Sequence, residues 1–214
     1  MSTQVSVPPQ RLKRWFDGFV ARNGAICSIT PEPEGTVLAT VRGARAVLPV
    51  VRPSSTDLPA LVAALLPAGT GVVALVRRGG YSIAHVEYDG TDHRVTASKT
   101  GSRYVQGRTA AGGQSQQRFA RRRANQAAAL AAAAVGAARA VLGDVPAAVD
   151  LLVTGGDPEL VRAVCTARPL TSLSATRTIN VEVGEPRRRT IDDALSSARS
   201  VRILVTNAPA QEDP

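Results

Sequence analysis

The sequence predicts a mixed α/β protein in which a strand meander leads into one long helix and then into alternating strands and helices. Three short runs in 71–98 are typical of consecutive antiparallel strands, and glycine-bearing turns separate them. The stretch 115–142 contains no proline and is rich in alanine, which favours a long helix. In 148–205, β-branched runs alternate with helical patterns. A chain of 214 residues can bury a substantial core as one domain with a modest extension.

The first seventy residues predict an N-terminal extension made of helices and a small sheet. Residues 10–23 place apolar side chains on one helical face, and Asn23-Gly24 ends this helix. Short β-type runs follow at 26–29, 36–41 and 46–51. A short helix over 57–66 completes the extension.

The meander and the long helix form the centre of the chain. The predicted strands are 71–76, 81–88 and 94–98. The helix 115–142 would reach roughly 40 Å at the usual rise per residue. Its apolar face is formed by Phe119, Leu130, Ala134, Ala137 and Val141. Arg123 and Gln126 fall near that face, so we expect the first turns of the helix to extend beyond the core.

The last third predicts strands at 148–154, 179–183 and 201–205, with intervening helices at 159–166 and 191–198. Gly155-Gly156 follows the first of these strands, but the turn lacks the lysine of a nucleotide-binding P-loop. We therefore predict an extension over 1–70, a main domain over 71–206, and a disordered tail over 207–214.

The net charge of +9 is concentrated in one segment. Residues 94–142 contain no Asp or Glu, and the other 17 basic residues of the chain balance its 17 acidic ones. The basic residues of the segment are Arg94, Lys99, Arg103, Arg108, Arg118, Arg121, Arg122, Arg123 and Arg139. This distribution is typical of a surface that binds a polyanion. A solvated arginine-rich face is the alternative interpretation.

The loop inside this segment joins the meander to the long helix. Gly112 and Gly113 permit backbone angles that a side chain would forbid, and they allow close approach to a ligand. Gln114 would then lie at the loop tip, and Ser115 is a suitable N-cap for the helix. The loop therefore ends on a helix N-terminus.

Few residues offer conventional catalytic chemistry. His85 and His93 are the only histidines and have no ligand-spaced partner, so we expect no metal site and no cofactor. Cys27 and Cys165 are expected to be buried thiols, neither bridged nor catalytic, as in a reducing cytosol. The N-terminus lacks the pattern of a signal peptide, and we expect no membrane span. If the protein is an enzyme, its catalytic groups must be backbone and side-chain amides, the substrate itself, or groups of a partner.

The run Gly112-Gly-Gln-Ser-Gln-Gln-Arg-Phe-Ala-Arg-Arg-Arg123 resembles the Gly-Gly-Gln loop and following helix of the catalytic middle domain of archaeal and eukaryotic class I peptide release factors. The layout over 71–170 more specifically resembles Vms-like release factors (the VLRF domain) of the actinobacterial peptidyl-tRNA hydrolase type. Gln116, Gln117 and Arg122 depart from the usual release-factor pattern. The stop-codon-reading domain, and the zinc-finger and ankyrin portions of eukaryotic relatives, have no counterpart in the sequence.

The resemblance implies a ribonuclease-H-like mixed α/β fold and a codon-independent peptidyl-tRNA hydrolase that acts on stalled ribosomes or large subunits in the cytoplasm. It assigns catalysis to Gln114, Gly112 and Gly113. It implies contacts to ribosomal RNA or to peptidyl-tRNA through Lys99, Arg103, Arg108, Arg118, Arg121, Arg122 and Arg123. We expect a monomer. Cleavage of tRNA near its CCA end and noncatalytic RNA binding remain as alternatives.

Overall fold

The computed structural model describes residues 2–50, 57–103, 114–143 and 148–208. In chain order, its strands are β1 (Ser2–Val7), β2 (Ile26–Glu32), β3 (Gly35–Thr40), β4 (Arg45–Leu48), β5 (Gly69–Arg77), β6 (Gly79–Asp89), β7 (Asp92–Arg103), β8 (Ala148–Gly156), β9 (Ser174–Val181) and β10 (Val201–Thr206). Its α helices are α1 (Leu12–Asn23), α2 (Leu58–Leu65), α3 (Gln114–Leu142), α4 (Pro158–Cys165) and α5 (Arg188–Ala198). The prediction of a mixed α/β protein is confirmed.

The chain forms two compact units. The first comprises Met1–Ala68, Asp89–Asp92 and Arg199–Pro214, and the second comprises Gly69–Tyr88 and His93–Ala198. Each unit contains one five-stranded sheet.

The sheet of the first unit has the order β1-β10-β4-β3-β2, and every neighbouring pair in it is antiparallel. Helices α1 and α2 cover one face of this sheet. The fully buried side chains in this core include Leu12, Phe19, Leu38, Leu48, Leu61 and Ile203. Gly24 ends α1 as predicted, with φ of 82° and its N–H donating to the Val20 carbonyl at 2.9 Å.

The position of β10 corrects the sequence prediction. The run 201–205 was expected to complete the α/β lobe of the main domain, but β10 pairs with β1 on one side and β4 on the other. The sequence analysis also missed β1. Both errors concern strands whose partners lie far away along the chain, and local patterns do not encode such pairing.

The segment after β10 is partly anchored. The Ala208 N–H donates to Oδ1 of the buried Asn23 at 3.2 Å, while the Asn23 amide donates to the Phe19 carbonyl at 3.1 Å. The rest of the predicted tail, from 209 onward, lies outside the described residues.

The second unit has the sheet order β7-β6-β5-β8-β9. Strand β5 is antiparallel to β6 and parallel to β8, which is in turn parallel to β9. Helices α3 and α4 pack on one face of the sheet through a core that includes Val72, Ile83, Leu130 and Leu160. Helix α5 packs on the opposite face through Ile191 and Leu195. The predicted meander, long helix and strand–helix alternation are thus present in three layers.

Helix α3 passes a simple length and composition test for a membrane span over Gln117–Leu142, and it is the one helix in the described part of the chain that does so. The sequence analysis, which expected no membrane span, did not single out this helix as long and apolar enough for one. Leu130, Ala134 and Ala138 of the same helix pack against the sheet and α4.

Candidate functional site

The carboxyl ends of four strands lie along one edge of the second unit's sheet. Strands β5, β8 and β9 run in the same direction. Strand β6 runs the opposite way, and β7 returns to the direction of β5 because only Gly90 and Thr91 connect β6 to β7. In open α/β sheets, ligands bind outside the carboxyl ends of the strands. Arg103, the last residue of β7, therefore lies at the edge where a ligand-binding site is expected.

The predicted loop follows immediately. Gly112, Gly113 and Arg108 lie outside the described residues. The chain is described again from Gln114, the first residue of α3, so the helix starts one position before the expected N-cap Ser115. Gln114 is therefore the first described residue of α3, and its predicted place at the loop tip depends on residues outside the described part of the chain. The first N–H groups of a helix have no intrahelical acceptor and carry partial positive charge.

Helix α3 is longer than the sheet that it covers. Its 29 residues span about 43 Å, whereas the nine residues of β5 span about 30 Å. The end of α3 leads to the start of β8, so the start of α3 lies toward the carboxyl edge of the sheet. Leu130 is the first buried side chain along α3 among those described from 117 onward. The expectation that the first turns extend beyond the core is confirmed.

The projecting part of α3 carries a group of cationic side chains. Arg118, Arg121 and Arg122 are exposed, and Arg123 is half-buried, as predicted from its place near the apolar face. The first three border a shallow groove of about 500 Å³ together with Asn125, Gln126 and Ala129. None of the four arginines forms an ion pair with another residue in the part of the chain that the structure describes. Their positive charge therefore remains available to an external anion.

The other predicted basic contacts lie on β7. Lys99 and Arg103 are both exposed on this edge strand. The structure thus brings Arg118, Arg121 and Arg122 together on α3, while Lys99 and Arg103 form a separate group at the strand that enters the loop.

Sequence reasoning missed further arginines at the same carboxyl edge. Arg77 ends β5, Arg78 follows it, and a run of three arginines at 187–189 leads into α5. The signal that could have identified them is the rule that the ends of parallel strands share an edge. The arginines that follow predicted strand ends would then have been grouped with the loop.

Close packing explains the Gly155-Gly156 pair. A Cβ at Gly155 would lie 2.7 Å from the Val181 carbonyl oxygen, and one at Gly156 would lie 2.1 Å from that of Val76. Gly156 also has φ of 114°, which favours glycine. The Asp157 N–H donates to the Val76 carbonyl at 2.8 Å. These glycines let adjacent strands approach each other, which accounts for the Gly-Gly pair without a nucleotide.

The histidines and cysteines take part in local contacts. The Thr96 hydroxyl donates to the His85 carbonyl at 3.0 Å, and His85 Nδ1 lies 2.7 Å from the same hydroxyl oxygen. His93 Nε2 lies 3.0 Å from Asp192 Oδ1. Within the described residues, no three His, Cys, Asp or Glu side chains are grouped as a metal site would require.

Both cysteines are free thiols. Burial raises the pKa of Cys165. The expectation that both thiols are buried is wrong for Cys27, which is exposed where the β2–β3 register shifts between Ile26 and Ser28. A bulge residue of this kind does not follow the alternation of the strand around it.

Comparison with known families identifies a region that contains the second unit and part of β10. Residues 69–204 match the family described as Actinobacteria/chloroflexi VLRF1 release factor, which is more than half of the chain. The chain belongs to this release factor family. As a VLRF1 release factor, the protein has a release-factor-like role in ribosome rescue, interacts with the ribosome, and acts in cytoplasmic translation. No curated protein matches the chain significantly.

The match to the VLRF1 family begins at Gly69, the first residue of β5, and includes α3 with its arginines. The cationic helix, the strand edge and the loop between them therefore all belong to the part of the chain that defines this VLRF1 release factor.

Proposed function

We propose that the protein is a peptidyl-tRNA hydrolase that releases nascent chains from stalled ribosomes or large subunits without reading a codon. The observation that carries this proposal is the position of Gln114. It begins a helix whose first turns extend beyond the core and carry arginines without ion-pair partners in the described part of the chain. In this proposal, the catalytic domain is the predicted main domain, which begins at residue 71 and has a ribonuclease-H-like fold.

The chemistry of ester hydrolysis fits this arrangement. A peptidyl-tRNA ester needs a water molecule placed on its carbonyl carbon and a donor for the oxyanion that develops. A positioned N–H can act as that donor, and one such donor contributes about 10²–10³ in rate. We assign the backbone N–H of Gln114 to the oxyanion and its side-chain amide to the water. Gly112 and Gly113 supply the backbone freedom that this placement requires.

The arginines serve a different purpose in this proposal. Phosphate contacts position a protein on RNA without reading its sequence. Arg118, Arg121, Arg122 and Arg123 on α3, with Lys99, Arg103 and Arg108, would hold ribosomal RNA or the acceptor end of peptidyl-tRNA. The peptidyl-transferase centre would surround the ester and complete the reaction site. The protein acts as a monomer without cofactor or membrane in this mechanism.

The test is product analysis after the purified protein is incubated with labelled peptidyl-tRNA on isolated large subunits. Hydrolysis yields free peptide and a full-length tRNA with a free 3′-hydroxyl. A shortened tRNA would instead establish the tRNA-cleaving nuclease. Binding to large subunits with neither product would establish a noncatalytic RNA-binding module.

A further inference from the structure

We propose that the carboxyl edge of the second unit's sheet carries a second RNA-binding surface, distinct from the arginines of α3. This edge surface consists of Arg77, Arg78, Arg187, Arg188 and Arg189, and we assign it to the phosphate backbone of large-subunit RNA. The partner rests on the function proposed above. The surface itself rests on the geometry of the sheet edge.

Local contacts bring these arginines to one place. Arg77 donates through Nη1 to the Val183 carbonyl at 3.2 Å, which ties the end of β5 to the segment that leads to α5. A Cβ at Gly80 would lie 3.0 Å from the Gly101 carbonyl oxygen and 3.7 Å from that of Pro186. The start of β6, the end of β7 and the residue before Arg187 are therefore adjacent. All five arginines are exposed.

The charges at this edge are only partly compensated. Three of the arginines form ion pairs, which are Arg78–Asp157, Arg187–Glu185 and Arg188–Asp192. Arg77 and Arg189 have no ion-pair partner among the described residues. Glu185 is largely exposed and Asp192 is half-buried, so solvent screens the Arg187–Glu185 pair most, and that pair contributes little to stability. Two of the five arginine charges therefore have no ion-pair partner in the part of the chain that the structure describes.

Helix α5 carries these cations where they oppose its own dipole. Arg188 and Arg189 are its first two residues, and its first turn contains no acidic residue. The N-terminus of a helix favours negative side chains and disfavours positive ones. Thr190 is the local compensation, since its hydroxyl accepts from the Arg187 N–H at 3.1 Å and donates to the Glu185 carbonyl at 3.0 Å. Arginines at the N-terminus of α5 disfavour the helix when no anion is bound. An external anion that contacts Arg188 and Arg189 would offset this cost.

The edge surface also lies next to the entry of the loop. Arg103, the last described residue before that loop, is two positions after Gly101. RNA phosphates bound by Arg188 and Arg189 would therefore lie near the end of β7, while the arginines of α3 bind RNA at the start of that helix. Two RNA contacts would restrict the orientation of the second unit on the ribosome more than one cationic helix can do alone.

The test compares the full-length protein with the double variant Arg188→Gln, Arg189→Gln in binding to isolated large subunits over a salt series. The matched control is Arg14→Gln, Arg202→Gln, which removes two exposed arginines from the first unit. We expect the first variant to bind more weakly and to lower the slope of log Kd against log salt by about 1 to 2. Its melting temperature should equal or exceed that of the unchanged protein, because two cations leave a helix N-terminus.

The outcomes separate the two proposals. If the unchanged protein binds and releases peptide but the Arg188, Arg189 variant behaves like the control, the edge surface is wrong and the proposed function stands. If the unchanged protein does not bind large subunits, both proposals fail. A lower slope for the first variant alone, with an unimpaired melting temperature, supports the edge surface.

Discussion

Gln114 lies about 24 Å along the axis of α3 from Leu130, the first buried side chain of that helix among those described from 117 onward. The two residues therefore belong to different parts of one helix. Leu130 packs in the core between the sheet, α3 and α4, whereas Gln114 starts the projecting turns. Because of this separation, a substitution at Gln114 should leave the fold intact. A substitution at Leu130 should lower stability without directly altering Gln114.

Replacing Gln114 with Ala should abolish peptide release while large-subunit affinity stays nearly unchanged, because the amide is assigned to water placement and not to RNA binding. The measurement is release of labelled peptide from peptidyl-tRNA on large subunits, alongside a binding assay. Gln117→Ala is the matched control, since this residue lies in the same helix and is exposed. Full release by the Gln114 variant would remove the catalytic assignment.

Replacing Arg118, Arg121 and Arg122 together with Gln should weaken binding to large subunits. If all three contact phosphates of single-stranded RNA, the slope of log Kd against log salt should fall by about 2. Thermal unfolding should be unaffected, because all three side chains are exposed and lack ion-pair partners in the described part of the chain. An unchanged slope would indicate that these arginines form only a solvated face.

Leu130→Ala should lower the free energy of unfolding by about 2–5 kcal/mol, since a fully buried leucine leaves a cavity when truncated. The exposed Arg121→Ala in the same helix should change it by no more than about 0.5 kcal/mol. Urea unfolding followed by circular dichroism measures both values. Equal effects of the two substitutions would contradict the division of α3 into a packed and a projecting part.

The two thiols should differ in reactivity toward iodoacetamide at pH 8. Cys27 is exposed, whereas burial raises the pKa of Cys165 and lowers both its thiolate fraction and its access to reagent. Alkylation of Cys165 should therefore be slower, and should increase when the pH is raised above 9 or when the protein is unfolded. Peptide mass spectrometry resolves the two sites. Faster reaction at Cys165 would show that its burial is wrong.

The sequence predicted those elements whose pattern is local. The apolar face of 10–23 identified α1, and the alanine-rich run identified α3 within one residue at its start. Arg123 falls near the apolar face of α3, and a charged residue there predicted that the first turns extend beyond the core. These predictions succeeded because periodicity reports which side chains one helix can bury.

The sequence did not predict features that depend on distant partners. Pairing of β10 with β1 joins the two ends of the described chain, and no local pattern contains that information. For the same reason, the sequence analysis did not group Arg77 with the arginines at 187–189. They are far apart along the chain and share a sheet edge only because of the directions of the strands before them. The loop residues Gly112 and Gly113 were identified by motif alone and lie outside the described residues.

The central claim is that the Gln114 end of α3 directs ester hydrolysis without codon reading. The most direct measurement is the release of labelled peptide by the purified protein from three substrates. These are peptidyl-tRNA on isolated large subunits without messenger RNA, on programmed ribosomes with a sense codon, and on programmed ribosomes with a stop codon. We expect release from large subunits, no preference for the stop codon, and loss of release with Gln114→Ala. A marked stop-codon preference, or no release from large subunits, would contradict the account.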